Sequence, residues 1–386
     1  MNAALDFTVL AAAYSASIVW CIALVLPSRP YAMRERLEPS TADVTDVADF
    51  GDITVLIPAR NEATSIQRTL AAVSEQSGAA SVVVVDDQST DATAKIATET
   101  LGTATVVTGE PPPPGWIGKV WALEQGLRTV RTPFVLLLDA DIELRPGIIA
   151  ALKNKAIHER LAMVSLLANL NTQRFWERVL VPAYVYFFKF MYPFALVNSA
   201  TSRTAAAAGG CILIRRKALE EIGGFASLKS AIIDDCTLAK QVKSAGHGIW
   251  LGVSKSAVSH REYANWIDIW NLVTRSAFAE LKFSTLRLLL CTLAMLWLFI
   301  SVPLAVLMYS GVPAYIAAAG TLAMFMTYVP VLRFYKLWAG RAVTLPLVAL
   351  LYLAMTWHSA VRYWFGTRTV WKSRSYESRP PDMPLE

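Results

Sequence analysis

Phe134-Val135-Leu136-Leu137-Leu138-Asp139-Ala140-Asp141 is the stretch that decides the fold class. Its five apolar residues predict a strand covered on both faces, since such strands read as unbroken hydrophobic runs. Residues i and i+2 of an extended backbone point the same way. Asp139 and Asp141 therefore project together from the strand's carboxyl end, where open α/β sheets bind ligands. Two carboxylates that close repel unless a cation sits between them. A hard divalent ion carrying a phosphate group fits, because Mg²⁺ uses one or two carboxylates plus substrate phosphates. Taken alone, the pair is also explained as the cap of a following helix.

Outward from this strand, residues 52–260 alternate apolar runs with amphipathic stretches. That alternation predicts βα units and an α/β domain with a mostly parallel sheet. Strands are expected at 53–57, 81–85, 105–107, 163–167, 211–214 and 249–251. Helices are expected over 62–76, from Asp91 to about 101, and over 117–130, 145–159, 217–222 and 236–245. In the first helix Ile66, Leu70 and Val73 fall at i, i+4 and i+7.

The flanks are different. The chain has 386 residues, 54% of them hydrophobic, which is too apolar for an ordinary soluble enzyme. No charged residue occurs from Leu288 to Leu332, which is length for two crossings of a ~30 Å hydrocarbon core. Gly311 and Pro313 mark the turn between them. Residues 342–361 form another uncharged stretch, and residues 7–27 a fourth. The expected division is an anchor at 1–28, a linker at 29–51, the α/β domain at 52–283, a membrane region at 284–366 and a basic tail at 367–386. Residues 179–198 are rich in aromatics from Tyr184 to Phe194. They read as an interfacial helix, with a buried core helix as the alternative.

Arg29, Arg34 and Arg36 follow the first span. By the positive-inside rule they put the α/β domain in the cytoplasm, so the chain is expected as a multi-pass protein of the cell inner membrane. The tail, with Arg362, Arg368, Lys372, Arg374 and Arg379, conflicts with a third carboxyl-terminal crossing. Either 342–361 re-enters or lies in the interface, or the tail breaks the rule. The net charge of +6 comes partly from these flanks and suggests anionic headgroups rather than nucleic acid. Cys21, Cys211, Cys236 and Cys291 make no paired framework and no thiolate metal spacing.

Three further clusters accompany Asp139 and Asp141. They are Ile57-Pro58-Ala59-Arg60-Asn61-Glu62, Val85-Asp86-Asp87-Gln88-Ser89-Thr90-Asp91 and Ile233-Asp234-Asp235-Cys236-Thr237-Leu238. Each is expected at a strand's carboxyl end or a helix's amino end. Singly, each is explained by turn and cap chemistry. Their order in an α/β frame resembles family 2 of the inverting glycosyltransferases, over residues 52–283. Gly115-Trp116-Ile117-Gly118-Lys119 and Gly209-Gly210-Cys211 resemble its ceramide-glucosyltransferase-like group. The layout of spans is similar to the bacterial members associated with hopanoid biosynthesis.

The resemblance implies a GT-A fold, a nucleotide-sugar donor of the UDP-sugar kind, and a lipid hydroxyl as acceptor. It implies that Pro58, Ala59, Glu62, Asp86 and Asp87 line the nucleoside site, with Asp91 as a helix cap. Asp139 and Asp141 would hold Mn²⁺ or Mg²⁺ against the diphosphate, with Lys119 adding charge. Asp235 would be the catalytic base. A late histidine, His260, is a metal candidate or a structural residue. Many relatives carry Q-x-x-R-W near the membrane. Here only Arg275 of that motif remains, either on the diphosphate or beside anionic lipid. Polyprenyl phosphate as acceptor, a nucleotidyltransferase and a non-catalytic scaffold are the competing readings. The lack of glycine in 58–62 counts against the second.

Overall fold

The computed structural model describes residues 3–45, 50–76, 78, 80–366, 369–371 and 374–376. Most of the expected basic tail lies outside them. The chain forms two compact units. One comprises residues 35–171, 196–262 and 370–386, the other 1–34, 172–195 and 263–369. The division therefore differs from the linear one: 172–195 and 263–283, expected within the α/β domain, belong to the helical unit.

The first unit is built on eight strands: β1 Ile53–Ala59, β2 Ser81–Asp86, β3 Thr105–Thr108, β4 Phe134–Leu138, β5 Ile142–Leu144, β6 Met163–Asn169, β7 Cys211–Arg215 and β8 Ile249–Ser259. They lie in the order β3-β2-β1-β4-β7-β6-β8-β5. β1 runs parallel to β2 and β4, β7 is antiparallel to β4 and β6, and β5 is antiparallel to β8. Every residue of β1 and β4 is buried, as unbroken apolar runs require. Helix Ile66–Ser74 lays Ile66, Leu70 and Val73 on the core formed by Ile53, Val55, Ile57, Leu136 and Leu138.

Two features are not legible in the sequence. β5 is three residues long, and no strand is expected there. β8 is expected to end at 251 but continues to Ser259. Its added residues 257–259 pair with β5. The expected linker supplies further pairing. The Val253 N–H donates to Glu35 O and the Leu37 N–H to Val253 O. The Glu38 carboxylate accepts from the Lys255 N–H at 2.6 Å and the Ser256 hydroxyl at 2.6 Å. Residues 35–38 are thus a strap on β8 rather than free chain.

Among its described residues the second unit contains four helices long and apolar enough to cross a membrane: Asp6–Val25, Thr285–Met308, Val312–Phe334 and Ala339–Trp364. Small residues let three of them approach closely. Ala13, Ala305 and Ala317 share one buried cluster. A Cβ on Gly320 would collide with the Ser17 hydroxyl. The second of these helices widens into a π-turn at Leu296–Ile300. Continued to Leu298, that spacing meets Pro303, which has no N–H to offer. The Trp20 indole donates to Leu298 O instead, at 2.7 Å.

The aromatic segment forms helix Phe175–Met191. Tyr186 is fully buried, with its hydroxyl 2.8 Å from Thr327 Oγ1. Phe187 meets Phe299 and Tyr352. One side of this helix is therefore core of the helical unit, while Phe175 and Trp176 at its start remain exposed.

Candidate active site

The carboxyl ends of β1, β2 and β4 lie side by side, because these strands are parallel and adjacent. Ala59 pairs with Asp86. The Asp87 N–H continues the ladder to Ala59 O at 2.8 Å, and its side chain is fully buried. Asp86 is buried too, and among the described residues its Oδ1 has no hydrogen-bond partner. A buried acceptor without a donor is costly, so this oxygen suits an N–H brought by a ligand. Gly109 packs on the Asp86 backbone. Its N–H donates to Asp86 O at 2.9 Å, and a Cβ there would come within 2.8 Å of that oxygen.

The loops after β1 and β2 are stitched together. Asn61 Oδ1 accepts from the Thr90 N–H at 2.8 Å, and the Asn61 N–H donates to Ser89 Oγ at 3.0 Å. The Glu62 N–H donates to Thr93 Oγ1 at 2.8 Å. Asp91 accepts from Ala63 N at 3.1 Å and from Thr93 N at 3.0 Å. Burial would raise the Asp91 carboxyl, but these hydrogen bonds outweigh it and hold the group below the usual range. Asp91 is thus a turn and cap residue, one position before the Ala92 N-cap of helix Thr93–Thr100. Asn61 and Gln88 both adopt positive φ, which gives the two loops their sharp bends. The sequence flags these residues only as turn-formers.

A second group of charges surrounds Lys119, in the first turn of helix Gly118–Leu127. Its Nζ lies 2.6 Å from Asp139 Oδ1. Burial disfavours the ammonium, yet Asp139, Asp234 and Asp235 overcome that cost and hold it charged, above the ordinary lysine range. Asp141 is pushed up to about 6 by burial, then by the Asp139 and Glu62 carboxylates, against the pull of Arg261 and Lys119. Carboxylates that raise one another in this way are short of positive charge. Their hard oxygen donors fit a divalent cation of the Mg²⁺ or Mn²⁺ kind.

Asp235 opens helix Asp234–Ser244. Its Oδ2 accepts from the Gly209 N–H at 2.8 Å and its Oδ1 from the adjacent Cys236 N–H at 2.7 Å. Burial and then Asp234 push its carboxyl up to about 7, although Lys119 and the two N–H groups pull it down. The next glycine ties in the backbone of Asp139, since Gly210 O accepts from the Asp139 N–H at 3.0 Å. One small cavity is lined by Pro58, Lys119, Asp139, Gly209, Asp234 and Asp235 over an apolar floor that includes Leu137 and Leu138. In the sequence Gly209 and Gly210 carry family likeness only; the structure makes them the link between Asp139 and Asp235.

His260 follows β8. Its backbone N–H donates to Asp141 O at 2.9 Å. Its Nε2 lies 2.6 Å from Glu143 Oε2 and its Nδ1 2.7 Å from Arg68 Nη1. Both ring nitrogens are thus occupied by side chains, and Arg68 and Glu143 are neighbours the sequence does not single out. Arg275 caps helix Trp266–Thr274 in the helical unit.

A family model described as Glycosyltransferase like family 2 matches residues 51–281. The chain belongs to this family. The chain is 38% identical over 92 residues to 4,4'-diaponeurosporenoate glycosyltransferase of Staphylococcus haemolyticus (strain JCSC1435), covering 24% of each chain. It is 32% identical over 127 residues to the protein of that name from Staphylococcus aureus (strain USA300), covering 32% of this chain and 34% of the relative. The alignments therefore span about a quarter to a third of these relatives. Among solved structures it resembles mannosyltransferase PcManGT from Pyrobaculum calidifontis, solved with GDP-Man and Mn²⁺. The TM-score is 0.52 at 20% identity, over 93% of this chain and 97% of the other. That likeness is one of fold, a GT-A-like mixed α/β sheet accompanied by apolar helices.

Proposed function

We propose that this glycosyltransferase is metal-dependent and inverting, and that it moves a sugar from a nucleotide donor, a UDP-sugar by the family resemblance, to a lipid hydroxyl on the cytoplasmic face of the inner membrane. The acceptor proposed is hopanoid- or ceramide-like. The observation that carries the reading is the convergence of Asp139, Lys119 and Asp235 on one cavity, with Asp141 beside Asp139. The name of the Pyrobaculum structure, which includes GDP-Man and Mn²⁺, supports a nucleotide sugar and a divalent ion.

In this reading Asp86, Asp87 and Glu62 receive the nucleoside, and the orphaned Asp86 Oδ1 takes a base N–H. Asp139 and Asp141 hold the cation. Bound there, the ion supplies Lewis-acid stabilisation of the leaving diphosphate. Lys119 adds a fixed positive charge to the same side. Asp235 removes the proton from the acceptor hydroxyl as its oxygen attacks the anomeric carbon. The carbon–oxygen bond to the diphosphate breaks, and the electron pair leaves with the nucleoside diphosphate. Attack opposite the leaving group inverts the centre. Asp234 stands beside the base, and its repulsion raises the basicity of Asp235. His260 is a second-choice metal ligand here, because using it requires displacing Glu143 or Arg68. Arg275 remains proposed as a contact for the diphosphate or for anionic lipid.

The names of the staphylococcal relatives favour a second acceptor class, an apolar carboxylic acid. A carboxylate is already an anion and needs no base. Asp235→Asn separates the two readings. With a hydroxyl acceptor it leaves donor affinity intact and lowers turnover by at least ~10²-fold; with an acid or a polyprenyl phosphate it is nearly silent. Asp139→Ala and Asp141→Ala should each abolish Mn²⁺-dependent UDP binding in calorimetry. Binding equal to that of the native protein in both variants would remove the site.

A further inference from the structure

The helix Ala339–Trp364 is long and apolar enough to cross a bilayer, yet both its ends are held to one side. Consider its start. Thr285–Met308 and Val312–Phe334 form a hairpin, with Ala305 against Ala317 near the turn. A hairpin of two crossings returns Phe334 to the side from which Thr285 set out. The chain then folds back tightly, with Leu337 N–H donating to Leu332 O at 2.9 Å. Ala339 follows at once, so the helix starts on that side.

Its far end is on the same side. Tyr363 stacks on Phe283, centroids 4.6 Å apart and rings 20° from parallel, and Phe283 precedes Thr285. The Ser359 hydroxyl donates to Thr274 O at 2.6 Å and accepts from the Phe278 N–H at 3.1 Å. The Trp270 indole donates to His358 Nδ1 at 2.6 Å. Residues 263–284, which supply these partners, also carry Asp268, Arg275, Glu280 and Lys282. Such charges do not lie in hydrocarbon. In the middle, the Tyr352 hydroxyl donates to Leu180 O at 2.9 Å, in a helix that carries Glu177, Arg178 and Lys189. Trp357 donates to Thr292 Oγ1 at 2.9 Å. That contact is only seven residues beyond Thr285, or ~10 Å along a helix, against a core of ~30 Å.

We propose that Ala339–Trp364 does not cross the membrane but lies in the interface of the leaflet that faces residues 263–284, with lipid covering its outer side. That side is a stripe at intervals of three or four residues, with Val343, Leu347, Leu350, Ala354, Val361 and Phe365 exposed, interrupted by the exposed His358, which accepts from Trp270. Such a stripe along one face of a helix suits the headgroup–acyl boundary. Lys336, Arg341 and Arg362 flank it, as expected beside anionic headgroups. Among the described residues the chain then crosses three times. The helix ends on the side of 263–284, and a basic tail leaving from that side no longer conflicts with the positive-inside rule. The arrangement would hold for any donor sugar or acceptor.

Single cysteines test it in the full-length membrane protein, read as labelling by an impermeant maleimide above that of the native chain. Sealed vesicles are compared before and after permeabilisation. Thr41→Cys reports the side of the sheet unit, Ser310→Cys the turn between the two crossings, and Ser378→Cys the tail. The expected result is that Ser378→Cys labels with Thr41→Cys and opposite to Ser310→Cys. Labelling of Ser378→Cys together with Ser310→Cys overturns the proposal. A fluorescent-protein or phosphatase reporter after residue 386 gives the same reading without altering any residue, and a reporter on the side of Ser310 overturns it equally.

Discussion

Asp235 combines burial, a like charge, a cation and backbone donors, a balance that a linear motif does not display. Burial and Asp234 raise its carboxyl, while Lys119 and two backbone N–H groups lower it, and the balance stands at about 7. A base must be ionised to act, so kcat/KM should rise as pH increases through about 7. A pH–rate profile on membranes checks this; a flat profile across that range contradicts the assignment. Gly209 makes a second prediction at this scale. A Cβ there would stand 3.1 Å from Asp235 Oδ2, closer than carbon and oxygen tolerate without a shift. Gly209→Ala should lower kcat by about 10-fold with donor affinity unchanged, since small displacements of a catalytic group cost rate rather than binding. Steady-state kinetics with varied donor separates the two quantities.

At the scale of elements, the sheet delivers its loops in register, and side chains then lock loop to loop. Asn61 is the pin: it bonds the 89–90 backbone and hydroxyls in both directions while holding a positive φ. Asn61→Ala removes the side-chain bonds and places a β-carbon residue in a left-handed conformation that asparagine tolerates better. The expected loss is about 1–2 kcal/mol, seen as a lower Tm in detergent, with a raised KM for donor. Glu38 pins the strap of 35–38 to β8 through two 2.6 Å bonds. β4 is legible in the sequence because its five buried residues are contiguous. β5 is not, because three residues carry no period and their pairing is with a distant part of the chain (Ile142 with Ser259).

For the whole molecule, composition announces a membrane protein, and four long apolar helices are present. How the helices meet is set by small residues whose importance shows only in contact. Gly320 sits where a Cβ would strike the Ser17 hydroxyl. Gly320→Leu should therefore wedge the first and third of these helices apart. The measurable outcome is a lower Tm in detergent than that of Leu322→Ala, which alters an exposed neighbour on the same helix. Equal values would show that the close approach contributes little.

Local pattern alone carries the α/β class, the positions of the acidic clusters at strand and helix ends, and the apolar helices. All three follow from local periodicity and local composition, which the chain carries wherever it folds. Only the tertiary structure decided that Gly209 and Gly210 join Asp235 to Asp139, that His260 is engaged by Arg68 and Glu143, and that 172–195 and 263–283 belong to the helical unit. These depend on contacts between residues far apart in the chain, and burial and charge acquire their values only when such residues meet.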